Sequence, residues 1–153
     1  MMNRSKITGK IVDIQSYEDE GYIFEQNVFL EMSEGTILRI FDPDILIKKE
    51  MMGKTKQLTL TAFLPQVQKS SEQKDALWSD ISLLNNEKSL PMHFEGKIEE
   101  FNEKRDRFIL NFGIGSIEVD VHAFQVEDFN VEDFVKFDVY RIDLNVLYPD
   151  NQT

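Results

Sequence analysis

Lys6-Ile7-Thr8-Gly9-Lys10-Ile11-Val12-Asp13-Ile14 is the stretch on which the fold turns, because it returns 87 residues later as His93-Phe94-Glu95-Gly96-Lys97-Ile98-Glu99-Glu100-Phe101. Each copy has an apolar residue, one spacer, Gly-Lys-Ile, and then an acidic and an apolar residue. Two further matches follow in the same order. Gly35-Thr36-Ile37-Leu38-Arg39-Ile40-Phe41 parallels Gly115-Ser116-Ile117-Glu118-Val119-Asp120-Val121 at a spacing of 80, and Gly53 to Leu60 parallels Asp133 to Val139 at 79 or 80. Matches that keep their order along the chain mark an internal repeat. The drift in spacing falls after the first strand, in a loop, where insertions cost little.

The matched segments alternate with a period of two, the pattern of half-buried strands. Gln57-Leu58-Thr59-Leu60-Thr61-Ala62 puts an apolar residue in every second place, with Thr59 and Thr61 expected on the wet face. Ile117 to Val121 alternates as strictly. In Phe108 to Ile114, positions 108, 110, 112 and 114 are expected to point inward. Lys136 to Val139 and Ile142 to Leu144 alternate in opposite frames, so the chain should bulge or bend at Tyr140-Arg141.

Pro43 and Pro65 mark the edges or ends of strands, and Pro91 a boundary. Leu77, Ile81 and Leu84 fit one helix face, and the same segment can be a strand paired with residues 57–66. A short helix is expected within Gln125 to Val135, with Val126, Phe129 and Phe134 to one side.

These signals predict an all-β chain of two tandem small Greek-key barrels related by internal duplication, with one or two short helices. The first unit is expected at 1–68 and the second at 92–149. Residues 69–91 would be a linker, or an extra strand or helix between them, with Trp78 packing the interface. The glycine in each first strand permits the bulge or close approach that a small barrel needs. This layout resembles the oligonucleotide/oligosaccharide-binding barrel, the OB-fold. The resemblance rests on strand order and glycine placement.

Composition narrows the function classes. The 153 residues are 41% hydrophobic and 29% charged, with 12 phenylalanines, as in a folded globular chain. There is no cysteine, which excludes disulfide scaffolds, thiolate metal sites and cysteine nucleophiles. The first residues lack a long apolar run, so no signal peptide is expected, and cytoplasm is the default compartment. No stretch approaches a membrane-spanning length.

The net charge is -11, with a pI near 4.6. Residues 92–153 hold 6 basic against 14 acidic side chains, so the excess lies mainly in the second unit. Such a surface repels phosphate backbones and anionic membranes and attracts basic proteins.

The preferred reading is therefore a non-catalytic binding or adaptor protein that engages a basic protein through the second unit. The repeated Val-Glu-Asp-Phe, at Val126 and Val131, supplies acids interleaved with rings. The expected contact residues are Glu99, Glu100, Glu127, Asp128, Phe129, Glu132 and Asp133. The alternative is an OB-type single-strand binder working through the less acidic first unit, with Tyr22, Phe24, Arg39, Lys48, Lys49, Lys54 and Lys56 as stacking rings and cations.

Asp42-Pro43-Asp44 and the pair Asp120/His122 offer two carboxylates or a carboxylate and an imidazole. Two ligands do not make a metal site, so no metal or cofactor is expected. Glu18-Asp19-Glu20-Gly21 reads as a solvated hairpin turn. Neither His93 nor His122 stands in a recognisable catalytic spacing, and no phosphate-cradling loop or nucleophile motif occurs, so no enzyme is expected. Exposed edge strands could pair two copies into a homodimer.

Overall fold

The computed structural model describes residues 6–33, 36–63, 65–79, 91–121 and 128–150. Among these, eleven strands and one 3-10 turn, Lys49–Met51, are the regular elements. The strands are β1 (Ile7–Asp19), β2 (Tyr22–Ser33), β3 (Thr36–Asp42), β4 (Thr55–Phe63), β5 (Gln68–Lys69), β6 (Ala76–Ser79), β7 (Met92–Phe101), β8 (Arg107–Asn111), β9 (Ser116–Asp120), β10 (Phe134–Val139) and β11 (Ile142–Leu147). No helix among the described residues is long and apolar enough to cross a membrane.

Strands β1, β2 and β3 form an antiparallel meander, and β4 returns beside β1. That is Greek-key order. Strand β11, far along the chain, fills the gap between β3 and β4. It runs parallel to β3 and antiparallel to β4, so the circuit β1-β2-β3-β11-β4-β1 closes as a five-stranded barrel. Closure leaves no free edge within that circuit.

A second Greek-key set, β10-β7-β8-β9, pairs in the same way. Ile7 faces Leu58 and Lys10 faces Thr55; correspondingly, Phe94 faces Phe137 and Lys97 faces Phe134. Ile11 faces Leu30 and Leu30 faces Leu38, as Ile98 faces Leu110 and Leu110 faces Ile117. Register shifts fall between Ile11 and Asp13 and between Ile98 and Glu100, leaving Val12 and Glu99 as the extra residues. The third strands correspond at a spacing of 79, one less than the Gly35/Gly115 match suggests. The buried side chains set this register, since Leu38 and Ile40 take the places of Ile117 and Val119.

The two sets exchange their closing segments. Residues 61–63 of β4 run parallel to β9 at Glu118–Asp120, and β5, a few residues on, pairs with β10. In return, β11 pairs with β3 and β4. The parallel pairs Phe63–Asp120 and Asp143–Phe41 occupy matching positions. Ala62 faces Ile142 at the centre of the exchange. Thus β11 lies within 92–149 in sequence but completes the first barrel in space.

Most of the buried apolar residues form a single cluster, from Ile7, Ile11 and Leu30 through Leu60 and Ala62 to Phe94, Phe108 and Phe112. Phenylalanine fills the second set: Phe94 meets Phe112 edge-on at 5.1 Å and stacks on Phe137 at 5.4 Å. The first barrel is filled by aliphatic residues. Phe29 is buried outside the cluster, and Phe24 is 56% exposed.

Several expectations change. Thr59 and Thr61 are buried, with Tyr148 and Asn145 of the C-terminal segment against them. Their hydroxyls are satisfied by the Tyr148 hydroxyl, 3.0 Å from Thr59, and by the Asn145 amide donating to Thr61. Ile114 is exposed, because β8 ends at Asn111 and Gly113 turns the chain at φ +96. Residues 76–79 form a strand, but its partner is β7 and not residues 57–66. Trp78 faces His93 in that ladder; its side chain lies outside the described residues, as do His122, Glu127 and the Gln125–Val126 start of the expected helix. Asp128 to Asp133 form turns and extended chain and not a helix.

Candidate functional site

The single-strand-binding residues expected from sequence fall in separate places. Tyr22 and Phe24 sit at the tip of the β1–β2 hairpin, 77% and 56% exposed. Glu20 and Gly21 turn that hairpin with φ +49 and +84, the geometry of a two-residue primed turn. Phe24 is the extra residue where the register shifts between Tyr17 and Glu18. Lys48 and Lys49 are exposed at the 3-10 turn, with the Lys48 ammonium donating to the Ile45 carbonyl at 2.8 Å. Lys54 precedes β4. Lys56 is buried and ion-paired to Asp150 at 2.7 Å, which holds the Asp150 carboxyl below its usual range. Arg39 lies on β3, half-buried between the buried Leu38 and Ile40.

Asp42 is structural. Its carboxylate is fully buried and accepts hydrogen bonds from the Leu46 N–H at 3.0 Å, the Ile47 N–H at 2.9 Å and the Gln26 amide at 2.9 Å. Gln26 also donates to the Ile47 carbonyl at 2.7 Å. These bonds fold residues 43–47 over one end of the barrel, with Ile47 buried beneath. Replacing Asp42 with Ala strands two backbone donors and an amide, and should lower stability by about 2–3 kcal/mol in denaturant unfolding. No group of three or more metal-ligating side chains occurs among the described residues.

Of the acidic residues expected on the second set, Glu99 and Glu100 lie on β7, and Glu132 and Asp133 on the segment bonded to it, with Asp133 ion-paired to Lys69 at 3.6 Å. Ile98 ties β7 to the segment before β10: its N–H donates to the Asp133 carbonyl at 2.9 Å, and its carbonyl accepts from the Glu132 N–H at 2.7 Å. Glu99, Asp128 and Glu132 are exposed there, and Glu100 and Asp133 half-buried. Phe129 is half-buried against the core. Its ring lies 5.7 Å from the Lys69 ammonium, its carbonyl accepts from Arg105, and Arg105 stacks on Phe101 at 4.0 Å. Glu132 has φ +81, the value found for Gly53 at the matching place in the first barrel. A left-handed glutamate there is strained.

A second feature, unforeseen from sequence, lies where the two sets meet. The bend at Tyr140-Arg141 stands between two open grooves. The larger, about 560 Å³, is lined by Phe63, Gln66, Gln68, Lys136, Tyr140 and Arg141. The smaller, about 300 Å³, is lined by Asn27, Arg39, Phe41, Tyr140 and Arg141.

The Arg141 guanidinium sits 5.2 Å from the Phe41 ring and 5.4 Å from that of Phe63. It forms paired bonds to Asp143 at 2.8 and 2.9 Å, which raise its affinity for its proton. His93, at the rim, has Nδ1 2.7 Å from Asp138 and Nε2 2.9 Å from Glu95. With both ring nitrogens engaged, it is poorly placed to take a proton from a substrate. The frame change at Tyr140 was the one sequence signal pointing here.

The described residues define an all-β protein with a five-stranded closed barrel, extra strands and open grooves where the two sets of strands meet. The chain matches no protein-family model, no curated protein and no solved structure.

Proposed function

We propose that the chain is an internally duplicated pair of OB-like barrels that exchange closing strands, and that it acts as a non-catalytic docking protein for a basic protein partner. The equal registers and matching bulges of the two Greek-key sets support the duplication. The docking reading rests on one observation: the Ile98 backbone bonds bring Glu132, more than thirty residues on in sequence, beside Glu99 of β7, and both side chains are exposed. Val131, 47% exposed next to Glu132, and the half-buried Phe129 add apolar surface close to these acids. The strained Glu132 fits this reading, since a position that favours glycine keeps a carboxylate.

The test is affinity capture by the full chain, followed by binding of the captured protein to the purified variant Glu99→Gln/Asp128→Asn/Glu132→Gln. A basic partner should bind at least tenfold more weakly to the variant, and more weakly still as salt rises. A partner held equally well by both proteins would remove the acidic surface from consideration.

A further inference from the structure

The grooves on either side of Tyr140 have a character opposite to that of the whole chain. The protein carries a net charge of -11. Yet the charged residues lining the grooves are Arg39, Lys136 and Arg141 with one carboxylate, Asp138, besides the engaged His93. Neither Arg39 nor Lys136 has an ion-pair partner among the described residues, and Asp138 is turned toward His93. Of three rings, Phe41 borders the smaller groove, Phe63 the larger and Tyr140 both. Phe41 and Phe63 are fixed on strands of the closed barrel and held to the Arg141 guanidinium, so this part of the platform is built before any ligand arrives. Tyr140 is 61% exposed and projects between the two grooves.

Flat faces for stacking, beside cations free to meet a phosphate, are what an unpaired nucleotide chain requires. The groove volumes lie within the roughly 300–1,000 Å³ that ligand sites occupy. We infer that this junction binds a short run of single-stranded nucleic acid, with bases stacked on Tyr140 and on the Phe41–Arg141–Phe63 platform and phosphates on Arg39 and Lys136. Of the residues expected from sequence for such a role, only Arg39 belongs to it. The site shares no residue with the proposed docking surface and does not depend on it.

The acidic remainder of the protein opposes approach, so binding is weak and seen best at low salt. Two to three phosphate contacts give a slope of about -1.4 to -2 in log K against log salt. A duplex, whose base faces are already stacked, should bind far less.

The experiment is fluorescence anisotropy of labelled eight-nucleotide oligo-dT and oligo-U with the full chain at 20 mM salt. Tyr140→Ala should weaken binding at least tenfold, and Arg39→Ala/Lys136→Ala should weaken it and flatten the salt slope. Tyr22→Ala, at the distant hairpin tip, should change nothing. All three variants alter exposed or half-exposed side chains, and circular dichroism checks that they fold. Amide shift changes on titrating the unaltered protein should map to Asn27, Arg39 and Tyr140. Absence of binding, equal binding by Tyr140→Ala, equal affinity for duplex, or thymidine monophosphate competing as well as the oligonucleotide would each overturn the proposal.

Discussion

A chain ending at Val139 should have no native state in either half. Such a truncation removes β11, whose Ile142 and Leu144 are 1% and 4% exposed. It opens the first barrel between β3 and β4 and bares Leu38, Leu58 and Leu60, all within 1% of complete burial. Burial of two aliphatic side chains is worth about 1.5–3 kcal/mol each, before the lost strand pairing is counted. A domain has only roughly 5–15 kcal/mol in all.

The damage should also spread to the second set. Residues 61–63 and 68–69 reach β9 and β10 from the far end of β4, which depends on β11 for one of its neighbours. The measurement is near-ultraviolet circular dichroism and proton NMR of residues 1–139, which should show lost tertiary signals. A peptide spanning 140–150, added in trans, should restore part of them. Two self-contained barrels joined end to end would behave otherwise, with native shifts persisting for residues 6–63, and that result would refute the exchange of strands.

Gly96→Ala should be the most damaging single substitution among the glycines. A Cβ there would lie 2.1 Å from the Asn111 carbonyl oxygen, 2.8 Å from its carbon and 2.9 Å from the Phe112 Cα. All three are backbone atoms, of the last residue of β8 and the one after it, so relief requires the end of β8 to move away from β7. The expected loss is about 3 kcal/mol, at the upper end for overpacking. At roughly 2–4 °C per kcal/mol for a chain of this size, the midpoint should fall by about 6–12 °C.

The matching Gly9→Ala should do less harm. Its Cβ would meet the side chain of Leu30, at 2.5 Å from Cγ, and a side chain can turn where a backbone cannot. Thermal unfolding of the two variants side by side checks the order. A Gly96→Ala protein as stable as the parent would mean that β7 and β8 are not as close as described.

These glycines show how much was legible in the residues. Gly9 and Gly96 were read as sites of bulging or close approach. In the fold each meets its neighbour strand closely, and the register shifts three residues on. The hairpin at Glu18 to Gly21 and the strand ends at Pro43 and Pro65 were equally local and equally readable. The residues proposed for function were not. Arg39 and Arg141 stand far apart in sequence and line one groove, while Lys48 and Lys56, close to one another in sequence, serve different ends. Side-chain grouping of this kind depends on which strand lies beside which, and no run of residues carries that information by itself.

The alternation of apolar residues and the two Gly-Lys-Ile strands follow from short-range preference, so the all-β class was determined by the sequence alone. The choice of partner for Ile142 to Leu147 was not. A strand that alternates correctly satisfies any neighbour of matching register, and its own residues do not say which. Only closure of the sheet decides, because an open edge leaves backbone groups unpaired and Leu38 and Leu60 in water. The tertiary structure thus gave the last strand to the first barrel, and with it created the junction where Tyr140 and Arg141 stand.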